Sequence, residues 1–291
     1  MAEEGARGMP ALVIGYNVEW VKDRTATEAF LARVRRLHER LGAPCTLFLL
    51  GEVIRNHHDE LRRLAGNPLF DLQMTLGRPL KTVCQVAEGQ TTLWRGATLE
   101  EIDEEVGETK RLFSEELEVQ AVGISDPLGY YRGLADRPDI LDVLDRHGLR
   151  FCRTYARNQH DWQPVDFSVE PFAYALQGFP HIIEFPAQGW QDAIIRTIYG
   201  WDDREGYVEY LKGDVDEVAR REELIWSYWA QDWSVVRGDP SLEIIERLIA
   251  YAGETGVELM SQRQADEEFR RRPTEKKATV RRASARRSPR E

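Results

Sequence analysis

The sequence predicts an α/β protein, a distorted (β/α) barrel of seven to eight mainly parallel strands. Short apolar runs bounded by turn signals alternate with amphipathic stretches along most of the 291 residues, and this alternation is typical of β/α units. No linker-like stretch separates the units. An apolar fraction of 42% is enough for one large core, so we expect a closed or nearly closed barrel.

The strands are predicted from apolar runs. The first is ALVIGY, which begins at Ala11, and the second is CTLFLLG, which begins at Cys45. The others are FDLQM at 70–74, AVGI at 121–124, RFCRT at 150–154, IIEFP at 182–186, LIWSYW at 224–229 and VELMS at 257–261.

The amphipathic stretches between these runs predict helices. The first covers about residues 25–41, with its apolar residues along one face and Gly42 placed to end it. A capping box from Thr98 to Glu101 opens another. Further helices are predicted near 52–65, 137–147, 206–221 and 240–253. Residues 81–96 are expected to form an irregular excursion.

Composition divides the chain into three segments. Residues 1–10 are predicted to be a flexible N-terminus, residues 11–269 the barrel domain, and residues 270–291 a basic disordered tail. The tail has ten basic and two acidic residues, a balance of +8, which leaves −19 for the rest of a chain whose net charge is −11. So acidic a body repels nucleic acid, and we expect such binding only through the tail.

Several functional classes are disfavoured by the composition. No run approaches the roughly 18 apolar residues of a membrane span, and the first ten residues lack a secretion signal pattern. The three cysteines, Cys45, Cys84 and Cys152, are too widely spaced to suggest a disulfide framework or paired metal ligands. We therefore expect a cytoplasmic protein with no membrane partner.

Polar side chains follow several of the predicted strands. Parallel barrels bring the carboxyl ends of their strands to one mouth, where active sites lie. The residues at these positions are Asn17, Glu19, Gln73 to Gly77, Ser125, Asp126, Glu184, Gln231 and Asp232.

A family resemblance runs through the same segments. The matching pieces are VIGYNVEW, LGAPCTLFLLGEVI, DLQMTLGRPLKTV, DPLGYYRGLADRPDILDVLDRHGLRF, RNQHDWQPVDF, IIEFPAQGWQD and WAQDWSVVRGDP. In number and order they resemble the polysaccharide deacetylases, the NodB-homology enzymes of carbohydrate esterase family four. The resemblance covers about residues 11–261. It implies the distorted barrel of that family.

The resemblance also implies a metal-dependent chemistry. In the family, one Asp acts as a general base on a metal-bound water. A second Asp and two His in an H-x-x-x-H arrangement hold a divalent ion such as zinc, and a His on a late strand protonates the leaving amine. A catalytic zinc needs at least three firm ligands and one open position.

The matching positions of this chain lack these groups. Asn17 stands at the base position, and Glu19 stands at the first ligand position. The H-x-x-x-H positions fall on Gln73 and Gly77, and the late His becomes Gln231. Neutral amides bind transition metals poorly. We therefore expect no metal and no other cofactor.

The alignment allows one shift without changing this conclusion. Moving the register by one residue places Met74 and Arg78 at the two His positions, and neither supplies an imidazole. The family's arginine before the RPPYG-like turn becomes Ser125.

Other residues are candidates for ligand binding at the mouth. Asp126, Arg132, Glu184 and Asp232 could form a salt-bridged ring in the space of the metal, with structural pairing as their favoured use. His160 either lines the mouth or packs within its loop. Trp162 and Trp190 either stack on a sugar or fill the core.

Three functional hypotheses follow. The first is a metal-free degenerate homologue that keeps a cleft for a carbohydrate or N-acyl small molecule and acts in binding or regulation, as a homo-oligomer or with an active paralogue. The alternative is a hydrolase of amide C–N bonds in an N-acylated sugar or cyclic amide, with metal-independent acid/base chemistry. The third is an assembly protein that uses the acidic body and basic tail.

Overall fold

Eleven strands are present in the computed structural model, which describes residues 8–19, 24–87, 90–221 and 223–272. In chain order they are β1 Ala11–Val18, β2 Cys45–Leu49, β3 Phe70–Thr75, β4 Val83–Ala87, β5 Gln90–Trp94, β6 Gly123–Tyr131, β7 Phe151–Arg157, β8 Phe172–Tyr174, β9 Phe179–Glu184, β10 Ile225–Gln231 and β11 Glu258–Met260.

Helices connect most of these strands and pack against the outside of the sheet. Within the same described residues they are α1 Arg24–Leu41, α2 Gly51–Ala65, α3 Leu99–Leu117, α4 Pro138–Arg146, α5 Asp192–Tyr199, α6 Arg204–Ala219, α7 Asp232–Gly238, α8 Glu243–Thr255 and α9 Gln262–Arg271. The predicted capping box is present at the start of α3, where the Thr98 side chain accepts from the Glu101 amide. None of the described helices is long and apolar enough to cross a membrane.

The main sheet is curved into a distorted barrel wall. Its order is β10-β1-β2-β3-β6-β7-β9-β8, with β11 paired to the first residues of β1. Every neighbouring pair is parallel except β8 with β9. The mainly parallel α/β barrel predicted from the sequence is confirmed, and seven strands from β10 to β9 form its parallel part.

Alternate residues of each strand face two separate cores. In β1, Leu12 and Ile14 pack with the helices in the outer core, whereas Val13 packs inside the barrel. The interior core also contains Phe48 from β2 and Phe151 from β7. This period of two places Gly15 and Asn17 on the inner face of β1.

Helix α9 closes the amino-terminal end of the barrel. Its Phe269 belongs to the interior core and lies 6.2 Å from the ring of Phe185. The amide of Gln262 donates to Oγ1 of Thr46 on β2 at 2.7 Å. The opposite end, where the strands terminate, is therefore the mouth.

The seam between β9 and β10 is covered by a side chain. Gln188 donates to the carbonyl of Ile225 at 3.2 Å and accepts from the amide of Ser227 at 3.1 Å. Trp226 donates from its indole to the Gln188 carbonyl at 3.0 Å. The edge of β10 thus bonds to an amide side chain where a closed barrel would have another strand.

Residues 81–96 differ from the sequence-based expectation of an irregular excursion. They form an antiparallel hairpin of β4 and β5, separate from the main sheet. The segment contains valine, threonine and tryptophan, which favour strands. Its two strands pair outside the barrel, so no barrel core requires apolar and polar residues to alternate along them. Helices α5, α7 and α9 and strand β8 also have no counterpart among the predicted elements.

Two of the predicted segments extend beyond the described residues. The basic tail was expected from residue 270, whereas α9 continues to Arg271. Residues from 273 onward, where most of the predicted tail falls, lie outside the described part, as do residues 1–7 of the predicted flexible N-terminus.

Candidate functional site

Two predicted site residues meet at the mouth through strand pairing. Asn17 on β1 lies in register with Gln231 on β10. Both face the barrel interior, and they are 0% and 8% exposed respectively. The two positions that the resemblance assigned to the base and the acid are therefore neighbours, and both carry neutral amides.

The centre of the site is an arginine that was not predicted. Arg153 on β7 is fully buried and extends across the barrel interior. Its Nη2 donates to Oδ1 of Asn17 and, at 3.1 Å, to Oγ of Ser125. Its Cζ lies 4.2 Å from the ring centroid of Phe48 and 5.0 Å from that of Trp229. Two aromatic faces and two polar partners thus enclose one guanidinium.

A glycine on the opposite strand makes room for this side chain. A Cβ atom built on Gly15 would lie 2.2 Å from Nη1 of Arg153. Real Cβ atoms do not approach other atoms so closely, so a larger residue at this position would displace the guanidinium. Nη1 itself has no hydrogen-bond partner. Burial lowers the pKa of Arg153 to about 9, while the charges of Glu19 and Glu184 act in the opposite direction.

Asn17 links the arginine to the one partly exposed carboxyl group of this network. Its Oδ1 faces Arg153 and also accepts from Oγ of Ser125 at 3.2 Å. Its Nδ2 donates to Oε1 of Glu19 at 3.1 Å. An amide suits this place because it presents an acceptor to a cation and a donor to an anion.

Glu19 has a strongly perturbed proton affinity. Burial of its carboxyl group raises the pKa to about 7, although part of the residue reaches the surface. The hydrogen bond from Asn17 and the charge of Arg153 lower it, whereas Asp126 and Asp192 raise it further. A carboxyl group with a pKa near neutrality can both donate and accept a proton.

Asp232 is the first residue of α7 and lies beside Glu19, but both of its carboxylate oxygens already accept hydrogen bonds. One carboxylate oxygen accepts from the Trp233 amide at 2.8 Å, and the other accepts from Oγ1 of Thr27 at 3.2 Å. The backbone of Glu19 donates to the same carboxyl group. Burial raises its pKa to about 7, and the charge of Glu19 adds to the effect. Asp232 therefore joins α7, α1 and the end of β1.

The structure does not bring Gln73 and Gly77 to the mouth. Gln73 is fully buried, and its Oε1 accepts from the amides of Val122 and Gly123, at 2.9 and 2.8 Å. These amides are at the start of β6, far from its mouth end. Gly77 is exposed in the following loop, where its amide donates to Oε1 of Glu105 at 2.6 Å. The inner residue at the end of β3 is Thr75, which lies within the predicted stretch 73–77 and donates to the Ser125 carbonyl at 3.1 Å.

The expected ring of four charged residues is not formed. Asp126 accepts from the amides of Leu80, Leu128 and Gly129, at distances from 2.8 to 2.9 Å, and therefore organises the irregular middle part of β6 and the loop after β3. Glu184 faces the outer side of the wall, because its neighbours Ile183 and Phe185 take the inner positions.

Glu184 and Arg132 are also placed apart. Glu184 accepts from Oγ1 of Thr154 at 2.7 Å and from the hydroxyl of Tyr174 at 2.5 Å. Arg132 is exposed and has a left-handed backbone with φ of 61°. The ring was considered because the four residues are charged and could fill the space of the metal, but successive strand residues face opposite sides of the sheet, so the four do not share one face.

The loop that carries His160 makes its contacts within itself. The His160 amide donates to Oδ1 of Asn158 at 2.9 Å, and its exposed ring lies 3.4 Å from Nε2 of Gln159. Trp162 is half-buried in the same loop. Trp190 is also half-buried and packs against the outer core, which matches the core-filling alternative.

The donor set of the mouth does not fit a catalytic divalent ion. Among the residues that the structure describes, no group of three or more His, Cys, Asp or Glu side chains could hold a metal. Asn17 has its oxygen turned to a guanidinium, and within the described part of the chain Glu19 is the carboxylate hydrogen-bonded to it. A zinc site needs three firm ligands, and a neighbouring cation repels a metal by several kcal/mol at contact distance.

Two surface cavities, of about 240 and 260 Å³, lie away from this network. The first is lined by residues of α1 and α2, including His57 and His58, and the second by residues near Asp71 and Arg263 at the other end of the barrel. Neither is lined by Asn17, Glu19 or Arg153.

Comparisons with known proteins identify the fold. No family model matches the chain, and no curated protein matches it. Among solved structures, a protein from Mycobacterium smegmatis assigned as a polysaccharide deacetylase matches with a TM-score of 0.64 and 13% identity, over 91% of this chain and 92% of that one. The allantoinase PuuE matches with a TM-score of 0.57 and 14% identity, over 89% of each chain.

A third similar structure is a CE4 family pseudoenzyme from Bacillus anthracis. Its TM-score is 0.54 at 10% identity, over 89% of this chain and 66% of that one. The NodB-type polysaccharide deacetylase fold predicted from the sequence segments is confirmed by these matches.

Proposed function

We propose that this chain, which has the fold of the polysaccharide deacetylases, is a metal-free protein that binds a carbohydrate or N-acyl ligand at the barrel mouth and acts in binding or regulation. The observation that carries the proposal is the Arg153 guanidinium, which is hydrogen-bonded to Asn17 at the base of the mouth. The pseudoenzyme among the similar structures supports it, because it is a protein of this fold named for lost activity.

Arg153 opposes the metal-dependent reaction in two ways. Its positive charge lies next to Asn17 and raises the energy of any cation bound there. It also engages the oxygen of Asn17, which leaves that side chain no basic atom for activating a water. Asn17, Ser125 and Gly15 all accommodate the guanidinium, so their identities are consistent with one rearranged site.

Aromatic side chains near the carboxyl ends of the strands support the proposal of a sugar ligand. Tyr131 is 43% exposed and packs edge-to-face on Tyr155 at 6.0 Å. Trp233 follows Asp232 directly and lies 6.1 Å from Trp201. Aromatic faces combined with polar groups are typical of carbohydrate recognition.

Metal content and ligand binding test this proposal separately. We expect purified protein to contain no stoichiometric zinc or cobalt and to show no saturable zinc binding in calorimetry. N-acetylated and free amino-sugar oligomers are then titrated against wild type and Glu19→Gln, with the exposed Glu115→Gln as a matched control. Binding weakened in Glu19→Gln alone supports the proposal. A stoichiometric ion at the mouth with deacetylation of the oligomers would contradict it.

A second candidate function is metal-independent hydrolysis of an amide C–N bond. It is favoured by the geometry of Glu19, a partly exposed carboxyl group whose pKa of about 7 suits general acid/base catalysis. A screen of N-acylated sugars and cyclic amides with Glu19→Gln and Asp232→Asn variants tests it. Turnover that is lost in Glu19→Gln supports this function, and turnover insensitive to both changes counts against it.

A regulatory role requires a partner, for which we propose an active paralogue or a second copy of this chain in the cytoplasm. Light scattering at several concentrations measures self-association. Comparison of the full chain with one that ends at residue 272 shows whether the basic tail contributes, and a tail contribution should weaken with added salt.

A further inference from the structure

The orientation of the Asn17 amide is dictated by its buried neighbours. Oδ1 of Asn17 receives Nη2 of Arg153 and Oγ of Ser125, and the Ser125 hydroxyl in turn accepts from the guanidinium. A guanidinium has five N–H donors and no acceptor. If the amide turned over, its NH2 group would face these donors, and fully buried donors would lose their acceptor. Such a loss costs about 1–3 kcal/mol, and more for a charged group.

This orientation has a consequence for Glu19. The NH2 group of Asn17 must point away from Arg153, and it lies 3.1 Å from Oε1 of Glu19. An amide nitrogen donates and does not accept. Oε1 therefore accepts in both protonation states of the carboxyl group, and a proton goes to Oε2, because protonating Oε1 would weaken it as the acceptor for the N–H of Asn17.

Packing and hydrogen bonds hold the Arg153 side chain in place. Phe48 and Trp229 cover its guanidinium, Ser125 accepts from Nε at 3.3 Å, and Gly15 leaves space for Nη1. Its partners are neutral, so the guanidinium is fixed by hydrogen bonds and packing and does not depend on a neighbouring carboxylate that could titrate.

We propose that Arg153 is a positioning residue of the candidate site, which fixes the Asn17 amide so that Oε1 of Glu19 is always an acceptor and any proton on Glu19 is carried by Oε2. The proposal builds on the proposed function, because it concerns the same mouth. It means that a ligand meets a carboxyl group with one defined proton-bearing oxygen, where a freely hydrated carboxyl group would offer either.

Several charged groups face Glu19 and affect its titration. They are Arg153 on β7, Asp126 on β6, Asp192 on α5 and Asp232 on α7. Asp232 has its own hydrogen bonds from Thr27 and Trp233. A measurement on Glu19 must therefore resolve this residue itself, which bulk titration does not do.

Nuclear magnetic resonance of the ligand-free full chain tests the inference. Asn side-chain amides and Glu carboxyl carbons are labelled and followed from about pH 4 to about pH 9, which spans the ordinary pKa values of carboxyl and imidazole groups. In wild type we expect the Asn17 NH2 signals to shift with the same midpoint as the Glu19 carboxyl, near pH 7. In Glu19→Gln, the Asn17 signals should no longer depend on pH at that midpoint.

Variants of Arg153 decide whether the arginine is responsible. Arg153→Met removes both the donors and the charge, and we expect the Glu19 midpoint to rise by about 1 pH unit and the Asn17 signals to lose their coupling to it. The exposed Arg146→Met is the matched control, with no expected change. An unchanged midpoint and coupling in folded Arg153→Met would overturn the inference.

A milder variant keeps the test decisive if Arg153→Met does not fold. Ser125→Ala removes one donor to Asn17 and one acceptor from Arg153, so it should weaken the coupling and leave the charge in place. Unchanged coupling in Ser125→Ala would then overturn the inference. These readouts use neither ligand nor metal, so their failure leaves the binding tests above unaffected, and failure of those tests leaves these readouts unaffected.

Discussion

The two ends of the barrel both bury charged side chains but treat them differently. At the amino-terminal end, Asp266 is 1% exposed and pairs with Arg150 at 2.9 Å and with Arg270 at 2.8 Å. Asp71 pairs there with Arg263 at 3.3 Å. These carboxylates each contact a cation that reaches the surface, so the closed end of the barrel is joined by ion pairs.

At the mouth, the charged groups are held by neutral partners. Arg153 is bonded to an amide and a hydroxyl, and Glu19 to an amide. Burial raises the pKa of both Glu19 and Asp232 to about 7. In barrels of this kind the amino-terminal face serves stability and the carboxyl-terminal face carries function. Burial also raises the pKa of Asp71 at the closed end, so the two ends differ in the partners of their charged groups, which are cations at the closed end and neutral groups at the mouth.

The largest expected effect comes from filling the space beside Arg153. Gly15→Ala places a Cβ at 2.2 Å from Nη1, so the guanidinium or β1 must move. We expect the free energy of unfolding to fall by about 3 kcal/mol, as for an overpacked core, in urea denaturation followed by circular dichroism.

A matched control and a rescue sharpen that result. Gly213→Ala in α6 meets nothing within 4 Å and should be neutral or stabilising by up to about 1 kcal/mol. Adding Arg153→Met to Gly15→Ala should recover part of the lost free energy of unfolding, because the shorter apolar side chain of methionine can move away from the new Cβ. Simple additivity of the two changes would show that they do not share this space.

The second-largest effect is expected from breaking the ion pairs of the closed end. Asp266→Asn leaves Arg150 and Arg270 without their carboxylate, and we expect a loss of about 2 kcal/mol, with unchanged ligand binding at the mouth. The exposed pair of Asp142 and Arg146 provides the control, since Asp142→Asn should change stability by less than about 0.5 kcal/mol. Impaired ligand binding in Asp266→Asn would remove the functional distinction between the two ends.

The smallest expected effect is on the pH dependence of stability. The folded pKa of Glu19 is raised from 4.5 to about 7, so between these values the folded state binds more protons than the unfolded state. Its contribution therefore destabilises the fold as pH rises through this window and reaches its full size above about pH 7. Because Glu19 is partly exposed, solvent screening reduces this contribution, and Glu19→Gln should gain on the order of 1 kcal/mol relative to wild type at about pH 8 and nothing at about pH 4.

The comparison with Glu19→Gln must be made by difference, because other groups titrate in the same range. Burial lowers the pKa of His38 from 6.5 to about 4, which makes stability rise with pH between those values. Denaturation of wild type, Glu19→Gln and Glu115→Gln at each pH isolates the contribution of Glu19. A constant difference between wild type and Glu19→Gln at all pH values would contradict the raised pKa.

Much of the fold could be predicted because its signals are local. The apolar runs that became β1, β2 and β10, and the capping box of α3, are each readable within one short stretch. The hairpin at 83–94 and helices α5 and α7 were missed because short elements at the rim have little periodicity to detect. Their positions depend on packing against the barrel.

The candidate site was predicted in part. Asn17, Glu19 and Gln231 lie together because they stand at the carboxyl ends of β1 and β10, which are neighbours. Arg153 was missed, although a signal existed. It lies two residues from both Phe151 and Tyr155 in a buried strand, so all three share one face, and this places an arginine on an inward position.

The sequence by itself determined the α/β barrel, because its strands and helices are read from residue type and spacing within short stretches, and it placed the neutral amides Asn17 and Gln231 at strand ends. Only the tertiary structure decided which side chains meet in the interior. Glu184 turned outward, Gln73 bonded towards the closed end, and Arg153 reached Asn17 across 136 positions of sequence. Such contacts depend on register between distant strands and on side-chain length, which no local pattern contains.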